Sequence, residues 1–137
     1  MSRRSRAREV ALQVLFETDV NPSDAVERAL EFLRARLRED DELVDFAMSL
    51  ISGVRRNREE LDDVLGKTAA NWTISRMAVT DRNILRLGAF EILYTQTPGR
   101  VAINEAVELA KRFGTGHSAQ FVNGILDKLH KSRTPPE

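Results

Sequence analysis

The chain has 137 residues but contains no cysteine, only four prolines and few aromatic residues. Without cysteine it can form neither a disulfide, nor a thiolate nucleophile, nor a cysteine-ligated zinc site. Its longest apolar stretch, residues 84–94, is too short to span a bilayer. Residues 1–9 carry arginines but are not followed by the apolar segment of a signal peptide. We therefore expect a cytoplasmic protein without a membrane-spanning segment.

The charges balance in number but not in position. The sequence has 21 basic and 21 acidic residues, so its formal net charge is zero. Residues 1–18 and 100–133 carry an excess of basic residues, whereas residues 24–63 carry an excess of acidic ones. This asymmetry predicts a basic patch built from the two ends of the chain and suited to nucleic acid. A scatter of charges over a soluble surface is the alternative.

Apolar residues recur with the 3.6-residue period of helices, and no segment alternates as a strand does. The pattern predicts seven helices in an all-α bundle fold. Residues 80–95 are apolar on nearly all sides, which predicts a central helix that is buried by its neighbours. Thr80 and Asp81 are suited to the N-terminus of this helix.

The connections are too short to separate independent domains. We expect a single domain with an N-terminal lobe over about residues 1–56 and a C-terminal lobe over about 57–130, tied together by the central helix. Residues 131–137 are expected to form a disordered tail. Trp72 precedes the central helix, and we expect its indole to be a core plug between the lobes.

The sequence contains no recognisable catalytic or metal-binding motif. No segment carries a P-loop, a dinucleotide-binding glycine motif or a nucleophile elbow. The two histidines, His117 and His130, lie in different segments, and neither has a nucleophile–base motif nearby. Asp127 and His130 are spaced like two metal ligands, but a single pair falls short of the ligand count of a metal site. We expect no enzyme, no cofactor and no metal.

Two segments have the composition of RNA contacts. Four arginines near the N-terminus are spaced like the start of an arginine-rich RNA-binding helix, namely Arg3, Arg4, Arg6 and Arg8. A solvated, mobile terminus would have the same composition. Gln120 and Phe121 place an amide beside an aromatic ring that could stack on a base. Phe121 also continues an apolar stripe with Val122 and Ile125, so a core position is the alternative.

Four segments together resemble the NusB family of transcription antitermination factors. They are RSRAREVALQVLF (4–16), DRNILRLGAFEILY (81–94), VAINEAVELAKRFG (101–114) and FVNGILDKL (121–129). The sequence VAINEAVELAK followed by FVNG is the most specific of them, and the resemblance extends over nearly the whole chain. It implies a seven-helix, all-α fold of two packed three-helix lobes around a central buried helix.

The resemblance also implies a function and a set of partners. NusB-like proteins bind single-stranded boxA RNA of ribosomal RNA operons together with NusE, a small-subunit ribosomal protein. The pair joins NusA, NusG and RNA polymerase in an assembly that reads through terminators. By matching motif, the RNA-contacting residues would be Arg3, Arg4, Arg6, Arg8, His117, Ser118, Gln120 and Phe121. Asp81 and Arg82 would lie near the NusE-binding surface. Phe16 matches an aromatic position that is either a partner contact or core.

Two positions depart from the family pattern, and two other functions share features with it. Gln120 stands where a lysine can occur, which removes a phosphate contact, and His117 stands where an acid can occur, which favours RNA. One alternative is the RNA-binding domain of a ribosomal RNA cytosine methyltransferase, which would require the chain to be a fragment. The other is a helical adaptor that homodimerises and binds only protein. Because the family includes both monomers and dimers, the resemblance does not give the oligomeric state.

Overall fold

A computed structural model describes residues 2–22, 26–70 and 72–133. These residues form seven α-helices and one short 3-10 helix, and within them there is no β-strand. The helices are α1 (Arg3–Val20), α2 (Val26–Arg36), α3 (Asp41–Arg56), α4 (Arg58–Thr68), α5 (Val79–Tyr94), α6 (Gly99–Phe113) and α7 (Ser118–Arg133), and the 3-10 helix (Ile74–Arg76) lies between α4 and α5. The prediction of an all-α, seven-helix chain is confirmed.

The chain divides into two compact units, one up to Arg56 and one from Asn57. In the first unit, α1 and α2 each pack against α3 and against each other. Helix α1 begins at Arg3, where the Ser2 side chain caps it by accepting a hydrogen bond from the Ser5 N–H. All four N-terminal arginines therefore lie on a regular helix.

In the second unit, α5 packs against α4, α6 and α7, and α6 packs against α7. Every residue from Asn83 to Glu91 is buried, which confirms the prediction of a helix buried on nearly all sides. Gly88 is at the point of closest packing: a Cβ atom there would lie 2.6 Å from Leu126 Cδ1 and 3.3 Å from Ala106 Cβ. A larger residue at this position would have to displace the Leu126 side chain and shift Ala106 slightly.

Some boundaries and positions differ from those predicted. Helix α5 begins at Val79 with Ala78 as its N-cap, because the Arg82 N–H already donates to the Ala78 carbonyl; Asp81 lies in the first turn. Helix α7 continues through Arg133, so residues 131–133 are helical, whereas 134–137 lie outside the described residues. The Asp127–Lys131 ion pair at 2.9 Å and the basic residues of the last turn stabilise this extension.

The largest correction concerns Trp72, which was expected in the core. Its side chain is 52% exposed. The apolar character of an indole favours burial, but the segment before α5 is irregular and has no periodicity that assigns a face to each residue. Trp72 is therefore available for contacts at the protein surface.

Candidate nucleic-acid interface

Arg3 is at the exposed start of α1 and forms an ion pair with Asp40, the residue that precedes α3. The hydrogen bond to Asp40 raises the pKa of Arg3, and the same hydrogen bond lowers the pKa of Asp40, helped by the Leu43 N–H that donates to its carboxylate. The carboxylate thus stays ionised at neutral pH. Any phosphate that binds Arg3 must compete with it.

Arg4 and Arg8, one helical turn apart on α1, both face Phe46 of α3. The Arg4 guanidinium carbon lies 4.6 Å from the centroid of the Phe46 ring and that of Arg8 lies 5.2 Å away, both within the range of a cation–π interaction. Arg4 is exposed, but Arg8 is only 4% exposed. Phe46 therefore orients the exposed guanidinium group of Arg4. Arg8 is buried against the same ring and contributes to the packing of α1 against α3.

Arg6 points to another side of α1. It is partly exposed and donates to the buried carboxylate of Glu9 at 3.0 Å. Of the four predicted arginines, Arg3, Arg4 and Arg6 are thus accessible to a ligand. The burial of Arg8 has a signal in the sequence, because the residue lies between Ala7 and Ala11 in the apolar stripe of the helix. Phe46 and Asp40, which position the arginines, had no such signal.

Neutralising Asp40 is expected to strengthen RNA binding. In Asp40→Asn the amide can still cap α3 through the Leu43 N–H, but it no longer holds Arg3 by charge. We expect affinity for a single-stranded RNA to rise about two- to fivefold, the range of an exposed ion pair. Fluorescence anisotropy of a labelled RNA measures this. Asp41→Asn, an equal charge change at an exposed neighbour, is the matched control. Equal effects of the two variants would show that the ion pair does not compete with RNA.

The turn between α6 and α7 presents the second group of predicted residues. Gly114 ends α6, and Ser118 begins α7 with its hydroxyl oxygen accepting from the Thr115 N–H at 2.9 Å. Ser118 is 1% exposed, so its role in this conformation is to close the turn rather than to meet a ligand. His117 and Gln120 are exposed on the same segment.

Phe121 follows them and is partly exposed rather than part of the core. Its ring contacts the indole of Trp72, with 5.5 Å between the ring centroids and 73° between the planes, an edge-to-face arrangement. The residue pattern had left core and surface open for Phe121, and the structure places it at the surface. Trp72 itself was not among the predicted site residues.

The three residues predicted to bind a protein partner are all accessible. Phe16, on α1 in the first unit, is 38% exposed and so lies outside the core. Asp81 and Arg82, in the first turn of α5, are partly exposed. The Oδ1 atom of Asp81 is shielded from solvent and accepts no hydrogen bond from any described residue. Arg82 lines an open groove of about 720 Å³ that also contains Trp72.

Neither a metal centre nor a membrane span is found in the described part of the chain. Within residues 2–22, 26–70 and 72–133, no three His, Asp or Glu side chains come together as metal ligands would. None of the described helices combines the length and the apolarity needed to cross a bilayer. The accessible chemistry consists of guanidinium groups, aromatic rings and amides, which are groups that bind nucleic acid.

Comparison with known proteins identifies the family. The family model of the NusB family matches residues 5–131. The chain belongs to the NusB family. The transcription antitermination protein NusB of Anaeromyxobacter dehalogenans is 43% identical over 135 residues, which cover 98% of this chain and 94% of that protein. NusB-family relatives thus carry the name of a transcription antitermination protein rather than of an enzyme, in agreement with the lack of a catalytic motif.

Solved structures of the NusB family show the same fold. NusB of T. maritima superposes with a TM-score of 0.85 at 34% identity, covering 98% of this chain and 94% of that one. A crystal structure of the antitermination factors NusB and NusE in complex with dsRNA matches with a TM-score of 0.78 at 28% identity, covering 96% of this chain and 98% of that one. That NusB neighbour was crystallised with both a protein partner and RNA.

Proposed function

We propose that this chain is a transcription antitermination factor that binds single-stranded boxA RNA of ribosomal RNA operons together with NusE. In this proposal it acts in the cytoplasm within an assembly that includes NusA, NusG and RNA polymerase. One observation carries the proposal. Accessible arginines lie on the first helix of a NusB-family chain, where Ser2 caps the helix and residues of α3 and its N-cap orient the arginine side chains. The neighbour crystallised with NusE and RNA supports the two classes of partner.

The affinity would come from two kinds of contact. Arg3, Arg4 and Arg6 pair with phosphates, and they supply the salt-dependent part of the free energy of binding. Phe121 stacks on an unpaired base, which is a contact that tolerates different sequences. His117 and Gln120 offer hydrogen bonds to the same strand without adding a negative charge. The chain is thus a binding platform, with no covalent chemistry to perform.

The protein partner would use the other accessible residues. An exposed aromatic ring such as Phe16 is a typical anchor for a protein interface. Asp81 and Arg82 are partly exposed in the first turn of α5 and offer NusE an acidic and a basic group. A partner bound beside the RNA adds RNA-facing surface and so raises the affinity of the complex.

The salt dependence of RNA binding tests both the function and the number of arginines. Three phosphate contacts to a single strand predict a slope of about −2 for log K against log salt, from roughly −0.7 per contact. A fourth contact from Arg8 would make the slope about −3. The experiment is an anisotropy titration of labelled boxA-type RNA at several salt concentrations, with and without NusE.

The controls separate this proposal from its alternatives. A scrambled RNA of equal length should bind more weakly, and addition of NusE should strengthen binding to the boxA-type RNA. Absence of RNA binding both with and without NusE would contradict the proposal. The chain would then fit a protein-binding adaptor that homodimerises, and its state of association would be measured by light scattering.

A further inference from the structure

The single tryptophan of the chain has a hydrogen-bonded backbone although its ring is exposed. The backbone N–H of Trp72 donates to the Ala69 carbonyl at 2.8 Å. Five residues later, Met77 is 5% exposed and its backbone N–H donates to the Ile74 carbonyl at 3.2 Å. The contact with Phe121 orients the indole, which is still 52% exposed and so offers a contact surface.

The contact between Trp72 and Phe121 leaves ring faces available. Because the planes meet at 73° with 5.5 Å between centroids, the edge of one ring contacts a single face of the other ring. The remaining faces are not occupied by this pair. Two bases could therefore stack on the two rings only if they were splayed apart, as unpaired bases of single-stranded RNA are.

The groove beside Trp72 offers both apolar surface and polar groups. Its exposed surface is largely apolar, although most of its described lining residues are polar or charged, and Trp72 and Ile74 are the large apolar side chains among them. A nucleobase matches both features, because it has an apolar face for the indole and a polar edge for the surrounding side chains. Thr73 and Ser75 offer hydroxyl groups to such an edge, and Glu59 offers an acceptor for an amino group.

The acidic residues of the groove do not give it a net negative charge. Asp62 is paired with Arg86 at 2.7 Å, and Asp63 is paired with Lys67 at 3.0 Å. The lining itself contains three arginines and three acidic residues, namely Arg58, Arg82, Arg86, Glu59, Asp62 and Asp63. A neutral base can therefore enter without electrostatic repulsion, while its phosphate stays outside.

We propose that Trp72 is a second base-stacking residue, so that Trp72 and Phe121 together bind two successive unpaired bases of the RNA. This inference deepens the proposed function and rests on it. It assigns the groove between α4 and the start of α5 to an unpaired base. Arg82 lines the same groove and was predicted to lie near the protein partner, so a protein occupant is the alternative that the experiment must exclude.

The fluorescence of Trp72 can be used to follow binding. Because the chain has one tryptophan, any change of its tryptophan fluorescence on binding reports a change in the surroundings of Trp72. The full chain is titrated with single-stranded boxA-type RNA, and in parallel a labelled copy of the same RNA is followed by anisotropy. We expect a saturable loss of tryptophan fluorescence with the same dissociation constant as the anisotropy change.

Variants measure the contribution of the ring. Trp72→Leu keeps an apolar contact to Phe121 but removes the stacking surface, and we expect about tenfold weaker RNA binding. The salt slope should stay unchanged, because no phosphate contact is lost. Trp72→Phe should recover most of the affinity. Tyr94→Leu, which alters an aromatic residue of the same unit that is 46% exposed but outside the groove, is the matched control. Circular dichroism checks that each variant is folded.

Each outcome decides the inference. RNA binding by anisotropy with unchanged fluorescence and a wild-type affinity for Trp72→Leu would overturn it and leave the proposed function intact. A fluorescence change with NusE but not with RNA would assign the groove to the protein partner and overturn it as well. No RNA binding by either signal would remove the proposed function and this inference together.

Discussion

Replacing Arg86 with methionine is expected to lower the free energy of unfolding by about 3 kcal/mol, the lower end of the range for breaking a buried ion pair. Arg86 lies on α5 and is 3% exposed. Its guanidinium donates to both carboxylate oxygens of Asp62, at 2.7 Å and 3.0 Å, and to Asn83 Oδ1 at 3.3 Å. Methionine fills the space of the aliphatic stem but leaves the carboxylate of Asp62, which is 28% exposed, without its main partner.

The control is an ion pair of the same unit at the surface. Lys67 and Asp63 are 3.0 Å apart with side chains 76% and 63% exposed, so Lys67→Met should cost less than about 1 kcal/mol. Urea unfolding followed by tryptophan fluorescence measures both, because Trp72 lies in the unit that contains α4 and α5. A double variant with Asp62→Leu should recover part of the loss, since it removes the unpaired charge. If Arg86→Met and Lys67→Met lowered the free energy of unfolding by the same amount, burial would add nothing to the stability that the Arg86–Asp62 ion pair contributes.

This ion pair shows how far the sequence predicts the fold. The apolar run around Gly88 predicts the buried helix α5, because apolarity on all sides of a helix leaves no face for solvent. The two charged residues within this run, Arg86 and Glu91, are buried as well. The carboxylate that makes burial of Arg86 possible lies 24 residues earlier in the chain. Helical periodicity is a local signal, so it cannot identify such a partner.

The candidate interface was predictable in composition but only partly in accessibility. The arginine cluster on α1 follows from the sequence alone, and the apolar stripe indicates that Arg8 is buried, but the contacts that position Arg3 and Arg4 come from outside α1. Arg8 is buried against Phe46, whereas Arg3, Arg4 and Arg6 are accessible. Ser118, predicted as an RNA contact, is buried, and its hydroxyl accepts from the Thr115 N–H in the turn. Trp72 reverses the expectation that the largest apolar side chain is buried.

The turn that Ser118 closes leads to the second large expected effect. In Gly114→Ala the new Cβ atom would lie 2.5 Å from Ser118 Cβ and 2.8 Å from the Ala110 carbonyl oxygen. Both neighbours are parts of helices and cannot move without shifting α6 or α7. Gly114 has φ −92°, which alanine adopts freely, so the cost is steric. We expect the free energy of unfolding to fall by about 2 kcal/mol, in the range for overpacking.

The same variant should also weaken RNA binding, because the displaced turn carries His117 and leads directly to Gln120 and Phe121. Gly116→Ala is the matched control, since a Cβ there meets no atom within 4 Å. That variant should bind RNA like the wild type and be equally stable or slightly more stable, because alanine restricts the unfolded chain. Urea unfolding and RNA anisotropy on both variants measure the two effects. Wild-type RNA affinity in a clearly destabilised Gly114→Ala protein would mean that the turn contributes to stability alone, and the RNA contacts would then have to be sought on α1.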